Sequence, residues 1–206
     1  TNGMIEYCEA MNNGWDMPRD GNGPVGIWAY MCDSVIIQHC YSHHNKTSAK
    51  GKDGGGFDFD GGMRYSIFQY NLSAFNEGAG YGIFQYAGAG DWHDNIARYN
   101  ISYNDGSKNG QCGILVWCDP AATPMTNFHA YNNTIVNNYD YGVNFEPGAY
   151  RGFLFENNIM QVTDETERFI GGNFSLAAFE RNLYWSDFSS ANGKPQPKVT
   201  LDNKAL

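Results

Sequence analysis

A repeat that returns about every 29 residues is the feature that most constrains this chain. One tetrapeptide position can be followed through successive segments that end at Cys8, Cys40, Asn71, Asn100, Asn132, Asn157 and Arg181. Periods of roughly 20–50 residues are typical of solenoids, propellers and other repeat arrays. In a solenoid each repeat contacts only its neighbours, so the position of a residue within the repeat decides which residues it can work with.

The composition of each repeat predicts an all-β parallel β-helix of about six to seven coils. A first extended run begins with a glycine in five repeats, at Gly26, Gly56, Gly82, Gly113 and Gly142. Two further short runs and polar corners follow it. Helical repeats are excluded because Gly and Asn interrupt every candidate amphipathic window. A propeller is excluded because the repeat has three runs and no regular hairpin signal.

The predicted coils span residues 1–188, and a turn-rich tail, residues 189–206, leaves the repeat. The coils are expected to be part of a longer solenoid. Because terminal repeats expose strand edges, we expect further coils, a cap or a second chain to cover the N-terminal edge.

Charge and hydropathy narrow the range of partners. A net charge of −9 argues against duplex nucleic acid, because phosphate binding needs a basic surface. No apolar run is long enough to span a membrane. Cys8 and Cys40 share a repeat column and are expected to stack as inward thiols, although their spacing also permits a disulfide.

Alternation along the first run predicts two outward columns beside an inward one. The inward column is Ile27, Phe57, Ile83, Ile114 and Val143. The outward columns are Trp28, Asp58, Phe84, Leu115 and Asn144, and then Tyr30, Asp60, Tyr86, Trp117 and Glu146. Aromatic rings mixed with carboxylates are typical of a sugar-binding groove. The alternative is an aromatic stack covered by a loop or by a second chain.

The strongest local signal is a glycine-rich segment, 52–62, that carries three acids. Asp58 and Asp60 are two residues apart on a strand and share a face about 6.5–7 Å apart. That separation suits the acid and base of an inverting glycosidase, so both are candidate catalytic residues. A calcium site is the second interpretation, with Asp53, Asp58, Asp60 and Glu77 as ligands. In the third, the acids only cap turns and solvate an edge.

These coils resemble the right-handed parallel β-helix superfamily of pectate-lyase-like proteins with Asn-rich repeats, over roughly residues 4–185. The pattern around Asp53 and Asp58 is similar, in part, to the calcium motif of one pectate lyase family. The resemblance implies a metal that binds a uronate carboxylate and a lysine that removes the α-proton. The nearby basic residues are Lys50, Lys52, Arg64 and Arg98. It also implies a secreted, periplasmic or cell-surface location.

The turn after the third first-run strand supplies a further group of candidates. Trp92 and His93 are expected on a loop above the groove, where they could contact a sugar, and Arg64 occupies the matching turn of the preceding coil. A turn with an Asp cap is the alternative. Arg19 lies in a loop that could form one wall of the groove.

Three functional hypotheses follow. The first is an enzyme, a glycoside hydrolase or a polysaccharide lyase, that cleaves an extracellular polysaccharide at Asp58 and Asp60. The second is a glycan-binding module without catalysis. The third is a structural solenoid whose outward aromatic residues form an interface. Hydrolysis by two acids requires no cofactor, whereas the lyase reaction would need calcium.

Overall fold

The computed structural model describes residues 2–18, 20–21, 23–163, 168–186 and 198–201, and these form a parallel β-solenoid of about six turns. Strands are numbered in chain order, and each turn contributes one strand to each of three sheets. No helix in the described part of the chain has the length and apolar character needed to cross a membrane. The prediction of an all-β parallel solenoid is therefore confirmed.

The three sheets are built from short strands. Sheet 1 contains β1 (Gly3–Glu6), β4 (Val35–Gln38), β7 (Ile67–Gln69), β10 (His93–Arg98), β13 (Met125–Tyr131), β17 (Phe153–Glu156) and β20 (Ala177–Glu180), with β16 (Tyr150–Arg151) beside β13. Sheet 2 contains β2 (Glu9–Met11), β5 (Tyr41–His43), β8 (Leu72–Ala74), β11 (Ile101–Tyr103), β14 (Thr134–Asn137), β18 (Ile159–Val162), β21 (Leu183–Ser186) and β22 (Lys198–Leu201). Sheet 3 contains β3 (Ile27–Ala29), β6 (Phe57–Phe59), β9 (Tyr81–Gln85), β12 (Ile114–Cys118), β15 (Val143–Phe145) and β19 (Ile170–Gly172).

The end of the described chain departs from the repeat. A single 3-10 turn, Phe174–Leu176, precedes β20. Strand β22 pairs antiparallel with β21, whereas the coil strands pair parallel. Part of the tail thus returns to the edge of sheet 2, and its other residues lie outside the described residues.

The core is a column of aromatic and aliphatic side chains enclosed by the three sheets. Phe57, Phe68 and Tyr81 pack against one another with ring centroids 5.2–6.1 Å apart. Further along the solenoid Phe145, Phe155 and Phe179 continue the same stack. Burying each aromatic side chain contributes roughly 1.5–3 kcal/mol, so the aromatic core is a main source of stability.

An asparagine ladder fixes the corner between sheets 1 and 2. Its members are Asn71, Asn100, Asn133, Asn158 and Asn182, all buried. From Asn100 onward, each side-chain oxygen accepts the backbone N–H of the preceding ladder residue, at 2.9–3.0 Å, and also its amide group. The Asn71 oxygen accepts the Cys40 N–H at 3.0 Å. Each side-chain amide in turn donates to a backbone carbonyl near the end of a sheet 1 strand. The ladder therefore satisfies the polar backbone that the corner would otherwise bury unpaired.

The register of this ladder corrects the predicted repeat in its last three coils. The predicted column passes through Asn132, Asn157 and Arg181, but Ala97 pairs with Ala130, so each ladder residue is one position later. The residues just before the ladder all adopt left-handed backbone, with φ of 52–57°: Tyr7, His39, Tyr70, Tyr99, Asn132, Asn157 and Arg181. In the pair Asn132-Asn133 the first residue takes the left-handed turn and the second enters the ladder. Either asparagine suits either position, so the sequence alone left the choice open.

A second ladder lies at the corner between sheets 2 and 3. Asn13, Asn45 and Asn76 each donate their side-chain amide to the next member, at 2.7–2.8 Å, and Asp105 ends the series as an acceptor. Burial raises the pKa of Asp105 to about 6, although hydrogen bonds from Ser102 and Asn76 oppose the rise. This ladder aligns successive coils with one another at the corner that precedes the strands of sheet 3.

The cysteines are free thiols. Cys40 is buried, whereas Cys8 is exposed because it lies on the first coil. Of the expected pair of inward thiols, only Cys40 is therefore enclosed. Burial raises the pKa of the Cys40 thiol, which keeps it protonated and unreactive.

The ladder register predicts that replacing Asn133 lowers the free energy of unfolding far more than replacing its neighbour Asn132. Asn133→Ala leaves the buried N–H of Asn100 without its acceptor, so we expect a loss of about 2–4 kcal/mol in the free energy of unfolding. Asn132→Gly should change stability by a few tenths of a kcal/mol, because glycine adopts the left-handed backbone freely. Equilibrium denaturation of both variants measures the difference, and equal losses would contradict this register.

Candidate functional site

A pocket of about 500 Å³ opens on the outer face of sheet 3. We call it the aspartate pocket. Its lining is made of Gly23, Pro24, Val25, Trp28, Lys52, Asp53, Asp58, Asp60, Phe84, Tyr86, Leu115, Trp117 and Glu146. The floor comes from β3, β6, β9 and β12, and two loops, 23–25 and 52–53, form a wall. The size is that of a small-molecule site.

Alternation along β6 carries both candidate catalytic acids to the pocket. Asp58 lies between Phe57 and Phe59, which point into the core. Asp60 follows directly, and its backbone N–H donates to the Ala29 carbonyl at 2.9 Å, which keeps the chain extended. The two carboxyl groups thus face the same pocket from positions i and i+2.

Asp58 is the most unusual group in the pocket. Only 4% of it is exposed, and its Oδ1 atom has no hydrogen-bond partner among the residues that the structure describes. Burial raises its pKa well above the usual 3.8, and the charges of Asp60 and Asp53 raise it further. A carboxyl group in this environment stays protonated to higher pH than an ordinary aspartate, so it can serve as a proton donor.

Asp60 sits nearer to solvent on the same face. Burial raises its pKa, and the hydrogen bond that its Oδ1 accepts from the Gly61 N–H at 2.8 Å opposes the rise. This hydrogen bond favours the ionised form of Asp60. The two aspartates therefore occupy different environments, one apolar and one partly polar, which is how acid and base roles are separated.

The register of β9 differs from the predicted one by two residues. The first-run column was predicted to pass through Ile83, but Phe57 pairs with Tyr81 and Asp58 pairs with Gly82. A slip of two keeps every side chain on its predicted face, so Phe84 still lines the pocket. It lies level with Trp117 and beside the Asp60 position. The glycine that begins this coil is thus Gly80 rather than Gly82.

Gly82 is a site residue that the sequence analysis missed. A Cβ atom built at Gly82 would lie 3.1 Å from Asp58 Oδ1 and 2.6 Å from the Phe84 ring. The Phe84 ring therefore occupies the position beside Asp58 that a side chain at residue 82 would need, so the close approach requires glycine. Both Gly80 and Gly82 could have begun the run, so composition could not distinguish them. Both registers turn Gln85 inward, and it is buried, with its Oε1 atom accepting from the Gly62 N–H at 2.9 Å.

Four of the predicted substrate-binding aromatic residues surround the acids. They are Trp28, Phe84, Tyr86 and Trp117. Trp28 pairs in register with Asp58 and is 47% exposed, and Phe84 meets Trp117 edge-on at 6.3 Å. Tyr30 stacks on Trp28 at 5.1 Å but lies outside the pocket lining.

Three other predicted contacts lie elsewhere. Trp92 was expected on a loop above the groove, but it is fully buried in the core against Phe128 and Phe153. Its apolar ring gains more from burial than from exposure, and its indole N–H reaches the Phe59 carbonyl at 3.3 Å. Trp92 therefore supports β6 from inside.

Arg64 and His93 stack in the corner that leads into sheet 1, away from the pocket. Arg64 faces Asp33 at 3.6 Å, and His93 Nδ1 lies 2.7 Å from Asp94. The carboxyl groups of Asp33 and Asp94 hold the two side chains in that corner. Arg19, predicted near the pocket wall, lies outside the described residues.

The predicted calcium ligands are only partly brought together. Asp53, Asp58 and Asp60 line the pocket, but Glu77 does not. The Glu77 carboxylate accepts the Thr47 N–H at 2.9 Å and pairs with Lys108 and Lys46. Burial would raise its pKa, but these partners outweigh burial and lower it. Within the described ranges, no group of three or more His, Cys, Asp or Glu residues is arranged to hold a metal ion. The four residues therefore do not fit a calcium site as a set.

An ion pair between distant segments lies at the pocket. Lys52 Nζ pairs with a carboxylate oxygen of Glu146, a residue 94 positions later. Both side chains line the pocket, and Glu146 is the more buried of the two. Lys52 is the one cation in the described lining.

Comparison of the chain with protein-family models, with curated proteins and with solved structures found no match.

The raised pKa of Asp58 predicts how stability depends on pH. The folded state holds the Asp58 proton at pH values where the unfolded chain, with a pKa of about 3.8, has lost it. The stability linked to this proton is complete below pH 3.8 and is lost as pH rises through the folded pKa. Asp58→Asn cannot ionise, so it should unfold at a higher temperature than the parent protein at pH 8, with the gap closing toward pH 4. Each unit of raised pKa corresponds to roughly 1.4 kcal/mol.

Thermal unfolding followed by circular dichroism from pH 4 to pH 8 measures this effect. Asp91→Asn is the matched control, because Asp91 is exposed and lies outside the aspartate pocket. A gap between Asp58→Asn and the parent protein that stays constant with pH would contradict the burial of an ionisable Asp58.

Proposed function

We propose that the aspartate pocket hydrolyses glycosidic bonds of a polysaccharide, with Asp58 as the general acid and Asp60 as the general base. The observation that carries the proposal is Asp58, a buried carboxyl group with an unpartnered oxygen beside a second carboxylate. Protonated Asp58 would donate to the leaving oxygen. Ionised Asp60 would take a proton from water, which attacks the anomeric carbon and supplies the new hydroxyl group.

The spacing and the surroundings of the two acids support this chemistry. Positions i and i+2 on an extended chain place the acids about 6.5–7 Å apart, at the short end of the range for inverting hydrolysis. Trp28, Phe84 and Trp117 offer apolar surface to the carbon faces of sugar rings. Because Gly82 has no side chain, the Phe84 ring packs beside Asp58 and gives it apolar surroundings that favour the protonated form.

Loss of either acid should remove turnover. We expect Asp58→Asn and Asp60→Asn each to lower the hydrolysis rate by roughly 10²–10⁴-fold, because each removes one proton-transfer step. Reducing ends released from a panel of polysaccharides measure the rate, and Asp91→Asn should retain full activity. Full activity in both pocket variants would overturn the proposal. Products that absorb in the ultraviolet, formed only with added calcium, would instead indicate β-elimination.

A glycan-binding module without catalysis is the second candidate, and the ring of aromatic residues around the pocket favours it. In the Asp58→Asn background, Trp117→Ala should weaken oligosaccharide binding by about tenfold, since the ring packs against the sugar. Calorimetry measures the affinity. Trp185→Ala is the control, because Trp185 is an exposed tryptophan that lies on sheet 2 and not in the aspartate pocket. Binding without turnover in the parent protein would favour this candidate over hydrolysis.

A further inference from the structure

The charges that line the aspartate pocket are unbalanced. Four carboxyl groups line it, those of Asp53, Asp58, Asp60 and Glu146, and Lys52 is the one described cation. Lys52 is already paired with Glu146. A ligand carboxylate entering the pocket would therefore meet the negative charge of Asp60, and the one cation in the described lining is already held by Glu146.

We infer that Glu146 sets the charge selectivity of the aspartate pocket: by holding Lys52 it makes the pocket select uncharged saccharides and reject uronic acids. This inference rests on the proposed saccharide substrate and names its class. Glu146 acts here as a specificity-determining residue and takes no part in proton transfer.

The geometry of the pair supports this role. Lys52 belongs to the wall loop, and Glu146 follows β15, so the pair joins two segments that are far apart in sequence. The Glu146 side chain is 20% exposed and that of Lys52 is 52% exposed. Glu146 thus stays in place while the lysine extends from the loop to meet it. The backbone around Glu146 is held separately, because its N–H donates to Val116 and its carbonyl accepts from the Tyr150 hydroxyl.

Removing the charge of Glu146 should reverse the selectivity in part. In Glu146→Gln the backbone contacts are kept, but Lys52 loses its carboxylate and becomes available to a ligand anion. Binding of an acidic saccharide should then tighten by about twofold to fivefold, the usual effect of one partly exposed charge pair. Binding of a neutral saccharide should change by less than about twofold, because its hydroxyl groups do not depend on that charge.

The experiment uses pairs of probes that differ only in charge. Hexasaccharides of galacturonate, glucuronate and mannuronate are compared with their carboxyl-reduced neutral forms by calorimetry on the full chain. The parent protein should bind at least one neutral form at least tenfold more tightly than its acidic partner. The acidic form should gain affinity in Glu146→Gln and lose that gain in Glu146→Gln combined with Lys52→Met. The gain should also shrink at high salt, because it is electrostatic.

The outcomes separate the two proposals. Equal or tighter binding of the acidic member by the parent protein overturns the charge selectivity and leaves the saccharide site standing. A Glu146→Gln variant that folds normally and gains no affinity for the acid overturns the role of Glu146. Absence of binding to every probe, acidic and neutral, overturns the proposed saccharide function itself. A thermal unfolding curve for each variant confirms that it is folded.

Discussion

The vertical alignment of coils by buried amide hydrogen bonds is the constraint on which the rest of this structure depends. Short strands of two to seven residues have too few contacts to define their own register. The buried asparagines at the corners supply it, because each side chain must meet both the backbone N–H and the amide of its neighbour. A coil shifted by one residue would bury those groups unpaired, at about 1–3 kcal/mol each. The ladders thus decide which side chains of sheet 3 stand together in the aspartate pocket.

The buried carboxyl group of Asp58 in the aspartate pocket lowers the stability of the fold. A fully buried carboxyl group with an unpartnered oxygen costs free energy that a similarly shaped apolar side chain would not. The core beneath it compensates, since Phe57 and Phe59 on either side of Asp58 are fully enclosed and Trp92 holds the Phe59 carbonyl. Groups that a fold keeps at such a cost are candidates for chemistry, and this is the physical reason for placing the proposed reaction at Asp58.

The features that could be predicted from the sequence are those that depend on the repeat period or on the alternation of side chains along a strand. The solenoid, the core-facing residues of sheet 3 and the shared face of Asp58 and Asp60 follow from periods of about 29 and two, and these were confirmed. A slip of two residues at β9 did not alter any face, whereas a slip of one at Asn132 replaced the ladder residue. Both errors arose where adjacent or alternate residues were chemically equivalent. Trp92 was misplaced for another reason: a turn-like sequence around it concealed an inward ring. The Lys52–Glu146 pair joins residues 94 positions apart, and no local pattern marks such a contact.

The acid strength of Asp58 and the charge selectivity of the pocket have a single physical origin. Removing water from a carboxyl group raises its pKa, because the ionised form loses solvation, and neighbouring negative charges add to the rise. A uronate carboxylate entering the same space would lose its solvation and meet the same neighbours, so it would be disfavoured for the same reason. A bound anion would raise the pKa of Asp58 further, so the anion would not displace the proton, and the cost falls on the desolvated anion itself. The ion pair between Lys52 and Glu146 favours both the proton on Asp58 and the proposed rejection of anions, since it keeps the one described cation occupied.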